Sequence, residues 1–265
     1  MEEEKVIKAI EANPLSIRWI KEPTYEMKVL ALKKNGLVLE YIKNPTREME
    51  ELAITQNARA IKFIESPTED MMIKAVQNGW SILQYMKHPT EKVIELAIKQ
   101  SGWAIQYAQN PSEALQLLAV RRNYDAIKYI KAPCAHVQEE AVKINYEALR
   151  YMEAPDDKVE LMAIESNEAA IQLIKNLTEA KMLEFLKVNV LVIKYIVGKV
   201  SEEGLEEVLK QILSMEDVEE KYVRDFLNCS TIERHTTIKD KILFIDRYGS
   251  KKAKKIAVDE RLKMI

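Results

Sequence analysis

The feature that most constrains this chain is a 22-residue period that runs without insertion or deletion from Met1 to Gly198. With the proline as position 1, the period is marked by Pro23, Pro45, Pro67, Pro89, Pro111, Pro133 and Pro155, and Met1 and Leu177 hold the same register at the two ends. A unit this short cannot bury an apolar core alone. It has to stack on neighbours of the same kind, so the period dictates a repeat architecture before any single residue is interpreted.

The positions within the unit say which architecture. Position 2 is Thr24, Thr46, Thr68, Thr90, Ser112 and Thr178, with Cys134 and Asp156 as departures. A small hydroxyl followed by acids and then apolar residues opens a helix, because its oxygen accepts from one of the unpaired first N–H groups. Position 9 is alanine from Ala9 through Ala163 and becomes Phe185 in the ninth copy. Position 13 is asparagine except at Gly79 and Ser101. Asparagine and glycine tolerate the left-handed conformation that ends a helix, and asparagine caps the next one, which places a turn at positions 12–14. Position 17 is always Ile or Leu, so Ile105, Ile127 and Leu149 are expected in the core. Position 19 is aromatic in Trp19, Tyr41, Phe63, Tyr85, Tyr107, Tyr129, Tyr151 and Tyr195, and this series too is expected to be core. The residue before proline avoids the helical region and closes the unit. Each copy therefore reads as a helix of about ten residues, a turn, a second helix of about eight and a proline corner.

The expected fold is all-α: an α-solenoid of nine helix-turn-helix repeats over residues 1–198, with a helical C-terminal cap or small bundle over 199–265. In that last region Ser201 through about Leu213, Met215–Leu227, Ile238–Tyr248 and Ser250–Leu262 read as helices. No Pro/Gly/Ser linker separates it from the repeats, which favours a cap. The chain has a net charge of −2 with 31% charged residues, a composition of globular proteins. No apolar run is long enough for a membrane span, and the acidic Met-Glu-Glu-Glu-Lys start lacks a signal-peptide core. Cys134 and Cys229 read as free thiols of a reducing compartment, so the expected location is cytoplasmic.

Motifs for chemistry are missing. His88, His136 and His235 have no metal-ligand spacing, and there is no phosphate loop, dinucleotide fingerprint or nucleophile elbow. The expectation is a non-enzyme without cofactor or metal. Charge is more informative. Acids concentrate at positions 3 and 4, and bases at positions 18 and 21: Arg18, Lys21, Lys43, Lys62, Lys87, Lys128, Lys131, Arg150, Lys175 and Lys194. Acids at helix starts and bases at helix ends complement the helix dipole, which is reason enough for the pattern. Stacking nevertheless turns it into an acidic and a basic ridge, and a basic ridge attracts acidic surfaces or phosphates whatever its origin. Four aromatics break the repeat pattern at the turn, namely Trp80, Trp103, Tyr124 and Tyr146. They are either turn residues folded onto the next copy or anchors for a partner. With Arg121 and Arg122 before Tyr124, and with Lys128, Lys131 and Arg150 beside or behind them, they form the expected partner-binding set.

The pattern Pro-Thr-x-Glu…Ala-Ile…Asn…Ala-Ile-x-Tyr-Ile resembles uncharacterised short helical-pair repeats of bacterial and phage proteins over residues 1–198. The resemblance implies a protein-binding adaptor or inhibitor that wraps a host or other partner protein, as phage accessory and anti-defence factors do. The unit is shorter than tetratricopeptide or ankyrin repeats and lacks their signatures. Two alternatives stay open: a nucleic-acid-binding repeat protein using the basic ridge, against which near-neutral net charge speaks, and an enzyme with its site in 199–265. A membrane partner is not expected.

Overall fold

A computed structural model describes residues 2–263. Met1, read above as position 1 of the first copy, and residues 264–265 lie outside the described residues. The chain divides into two compact units, Met1–Pro133 and Cys134–Ile265. Among the described residues every regular element is helical, and each unit is a stack of helix pairs packed on their neighbours, an α-helical repeat solenoid.

In the first unit the leading helices of the copies are α1 (Glu2–Ala12), α2 (Tyr25–Lys34), α3 (Arg47–Gln56), α4 (Glu69–Val76), α5 (Glu91–Gln100) and α6 (Glu113–Arg122), each packed on the next. Four hydroxyls at position 2 cap these helices as expected, Thr24, Thr46, Thr68 and Thr90 accepting from the backbone N–H of Met27, Met49, Met71 and Val93 at 3.3–3.4 Å, whereas Ser112 at the start of α6 makes no such bond. The second unit continues with α7 (Ala135–Ile144), α8 (Asp157–Ser166) and α9 (Glu179–Val188).

The second element of the first eight copies differs from the expectation. It is a six-residue 3-10 helix, as in Gly36–Tyr41, Ala58–Phe63, Trp80–Tyr85, Gly102–Tyr107, Tyr124–Tyr129 and Tyr146–Tyr151, and not an α-helix of about eight. The reason lies in its two ends. The position 13 asparagine fixes the start and the proline corner fixes the stop. Between them the bonds run i→i+3, such as Ala60 N–H to Asn57 O at 2.9 Å and Ile64 N–H to Ile61 O at 3.1 Å.

The asparagines cap the second helix as expected, but without the expected left-handed turn. Their backbone is extended, with φ between −145° and −158°, not left-handed. Each one closes the first helix through its N–H, as Asn57 does to Ala53 O at 2.8 Å. It then opens the second helix through its side chain, as Asn57 Oδ1 does by accepting from Arg59 N–H at 3.0 Å. Asn123 is the variant: its Oδ1 accepts from Gly102 N–H of the preceding copy at 2.9 Å. Only Gly79 keeps a positive φ at this position, 138°.

A 3-10 helix has three residues per turn, so positions 16 and 19 fall in one column and 17 and 20 in another. The interior is filled by 16, 17 and 20: Ala60, Ile61 and Ile64 in the third copy, Ala126, Ile127 and Ile130 in the sixth, all buried. Ile105, Ile127 and Leu149 are buried as expected. The position 19 rings are not core. They occupy the outer end of the 16/19 column. Tyr41 and Tyr129 remain 38% and 39% exposed and Trp19 77%, while Phe63, Tyr85 and Tyr107 are half-buried.

The second unit ends differently. In the ninth copy the 3-10 helix Val190–Val192 passes directly into α10 (Ile193–Ile196). Then α11 (Glu202–Leu213) packs on α9 where a tenth leading helix would sit, with Ser201 as its cap. The remaining helices are α12 (Glu220–Asn228), α13 (Ser230–His235), α14 (Lys241–Tyr248) and α15 (Lys251–Leu262). The expected start of α12 at Met215 and of α14 at Ile238 are both late in fact: Asp240 Oδ1 accepts from Leu243 N–H at 2.9 Å and sets the start of α14. Tyr222 of α12 is buried and donates to Leu186 O of α9 at 2.8 Å, tying these helices to the last repeat. Burial pushes that phenol far above the ordinary tyrosine range.

Candidate functional site

The first unit carries most of the residues singled out from the sequence: Trp80, Trp103, Arg121, Arg122, Tyr124, Lys128 and Lys131. Tyr146 and Arg150 belong to the second unit.

Trp103 is the centre of a defined constellation. It sits at position 15 of the fifth copy, on the first turn of its 3-10 helix, and is 38% exposed. Its indole N–H donates to Asp125 Oδ1 at 2.8 Å. Asp125 occupies position 15 of the next copy, one period later. Lys128 of that same 3-10 helix pairs with Asp125 Oδ2 at 2.9 Å and places its ammonium 5.4 Å from the Trp103 ring centre. The same ammonium lies 5.1 Å from the Tyr129 ring. Burial raises the Asp125 pKa, but the hydrogen bonds from Lys128 and Trp103 outweigh it and hold the carboxyl below its ordinary value.

Trp80 behaves otherwise. It is half-buried, and its ring centre lies 6.4 Å from that of Tyr107 in the next copy, a tilted contact that packs the turn onto its neighbour. Tyr124 and Tyr146 are half-buried, each opening a 3-10 helix. Arg121 and Arg122 stand exposed at the end of α6, and Lys131 and Arg150 are exposed. Of the expected set, then, the structure joins Trp103 to Lys128 through Asp125, and spends Trp80 on packing.

The acidic residues at position 3 have structural work. Thr90 donates to Glu69 Oε1 at 2.7 Å and Ser112 to Glu91 Oε1 at 3.1 Å, each reaching back one copy. In the second unit Ser201 does the same to Glu179, through both its N–H and its hydroxyl at 2.7 and 2.8 Å. The acidic ridge is therefore a ladder that ties helix starts together.

The bases at position 21 are not used in that way. Lys21, Lys43, Lys87 and Lys131 at position 21 of the first unit are exposed, and none forms an ion pair among the described residues. Beside them run the position 19 rings, with cations over several: Arg18 lies 4.5 Å from the Trp19 ring centre and Lys62 4.5 Å from that of Phe63.

Sequence reasoning missed the exposed face of the position 19 rings and the role of Asp125. The first needed the 3-10 geometry. The second had a signal, since Trp103 and Asp125 are one period apart and hence neighbours in adjacent copies. Sequence reasoning also missed Glu160, buried in α8 of the second unit and ion-paired with Lys181 of α9.

Among the described residues no group of His, Cys, Asp and Glu could hold a metal ion, and no helix is long and apolar enough to cross a membrane. Comparison with family models, with curated proteins and with solved structures finds no match to the chain.

Proposed function

We propose that this chain is a non-catalytic binding protein that recognises another protein through the 3-10 face of its first unit. The observation that carries the reading is the partial exposure of the position 19 rings beside lysines that form no ion pair among the described residues. Positions 16, 17 and 20 already fill the interior, so folding does not require aromatic rings at 19. Partly exposed aromatics supply rigid contact area for recognition, and cations at their rim steer and orient an acidic partner. Trp103, held in place by Asp125 and Lys128, is a preorganised anchor at one end of this face. The likeness to phage repeat proteins extends the reading to a host protein as partner.

The same pairing of rings and cations also suits single-stranded nucleic acid, which stacks bases on aromatics. One experiment separates the two. A photo-crosslinking amino acid replaces Tyr129 in the full chain, with a control at exposed Glu51 of α3, and adducts formed in cells are treated with nuclease or protease. The expected result is an adduct at position 129 that survives nuclease, is absent at position 51, and is lost when Lys21, Lys43, Lys87 and Lys131 are all changed to Glu. A nuclease-sensitive adduct supports nucleic acid instead, and equal adducts at both positions overturn the assignment of the face.

A further inference from the structure

Two grooves of the first unit are the same site repeated. One, of about 190 Å³, is lined by Ile61, Tyr85, Met86 and Lys87 at the proline corner between the third and fourth copies. The other, of about 540 Å³, is lined by Tyr107, Tyr129, Ile130 and Lys131 between the fifth and sixth. Tyr85 and Tyr129 both hold position 19, Met86 and Ile130 position 20, and Lys87 and Lys131 position 21. Each groove thus has a buried apolar residue as floor, a tyrosine as wall and an exposed ammonium at its rim that forms no ion pair among the described residues. The first groove also has Lys62 and Glu65 on its lining, which leaves it with one net positive charge, as in the second. In the intervening fifth copy position 21 is Gln109, and the ring at position 19, Tyr107, is packed against Trp80. Gln109 lines the second groove opposite Lys131 and adds no charge to it.

We infer that the two grooves together take an extended acidic segment of the partner protein, with one glutamate-like side chain in each. This rests on the reading above that the face binds protein, and it names the partner's chemistry. A side chain with an apolar stem and an anionic tip complements floor, wall and rim at once. Spacing narrows the choice. Packed helices lie about 8–10 Å apart, so grooves two copies apart are separated by about 16–20 Å. An extended chain advances about 3.3 Å per residue, which puts the two acids about five or six residues apart. Side chains of an extended strand alternate faces, so only the even separation, six, points both acids at the protein. A nucleic-acid strand fits less well. It carries a charge about every 3.4 Å in a duplex strand, whereas this face offers sparse cations interrupted by Glu40 and Glu65.

The test uses the full chain and fluorescence anisotropy at low salt. The probes are labelled twelve-residue peptides in a Thr/Val/Ser background, with glutamates at peptide positions 3 and 9, with glutamates at 3 and 8, or with glutamines at 3 and 9, together with a 20-nucleotide oligothymidylate. The expected result is that the 3/9 glutamate peptide binds at least about fivefold tighter than the other two peptides. The Lys87→Glu/Lys131→Glu double variant should weaken it at least about tenfold with unchanged melting, and Lys87→Gln/Lys131→Gln by less. Equal affinity for all peptides, binding to none, or tighter binding of the oligonucleotide through the same lysines overturns the inference. A protein adduct at position 129 with no peptide binding sinks the extended acidic occupant and leaves the protein-binding reading standing.

Discussion

Asparagine 13 of the repeat shows how much one side chain does here. Asn57 joins two helices by closing one and capping the next, so Asn57→Ala should lower stability by about 0.5–2 kcal/mol in denaturant melts. Asn123→Ala removes a bond between copies and leaves the Gly102 N–H without its acceptor, a loss of about 1–3 kcal/mol. Gly102→Ala should cost about as much for a different reason. A Cβ at Gly102, like one at Gly36, would press into the carbonyl oxygen of the alanine at position 9 of the next copy, Ala119 or Ala53. At these two sites glycine reflects close approach of backbones. Asp125 gives the pH prediction. Its carboxyl titrates below the ordinary range, so whatever it contributes is present above the unfolded pKa and is lost as pH falls through the folded pKa. Trp103 fluorescence should change with a midpoint below the usual aspartate range, and Asp125→Ala should abolish that step. A midpoint at or above the ordinary value would show that Trp103 and Lys128 do not hold the carboxylate.

At the scale of elements, the leading helices were legible from their hydroxyl caps, acids and alanines, and the prolines marked where each copy ends. What the period could not disclose is that the second element is 3-10. Ala126, Ile127, Tyr129 and Ile130 suit an α-helix as well as a tighter one, so their pattern does not choose between them. That choice moved Tyr129 from the core to the surface and so changed the site more than the fold. The residues of the expected partner set part company in the same way. Trp103 and Lys128 meet, but Trp80 packs on Tyr107. The second unit carries its own element-level prediction. Glu160 is 5% exposed and held by Lys181, whose ammonium burial would lower, while the carboxylates of Glu160 and Asp157 outweigh this and keep it above its ordinary range. Lys181→Met strands a buried carboxylate and should destabilise the second unit by about 3–5 kcal/mol, whereas the double change Glu160→Leu/Lys181→Met should recover most of it. Equal loss in single and double variants would mean that packing, not charge, is at stake.

At the scale of the molecule, the proposed reading gives packing and recognition to different columns of the same short helices. Position 17 holds neighbouring copies together, and positions 19 and 21 face outward. Because each copy contacts mainly its neighbours, damage to one should stay local, with hydrogen exchange rising first in the adjoining copies. The most direct measurement compares Ile127→Ala with Tyr129→Ala, two residues apart on one 3-10 helix, by thermal melting and by the yield of the protein adduct per folded molecule from a crosslinker at position 85. Ile127→Ala should cost about 2–5 kcal/mol and leave the yield per folded molecule unchanged. Tyr129→Ala should melt close to the parent and lose most of the adduct. If Tyr129→Ala unfolds the chain while its folded fraction still forms the adduct, the rings at position 19 are packing and the binding face lies elsewhere.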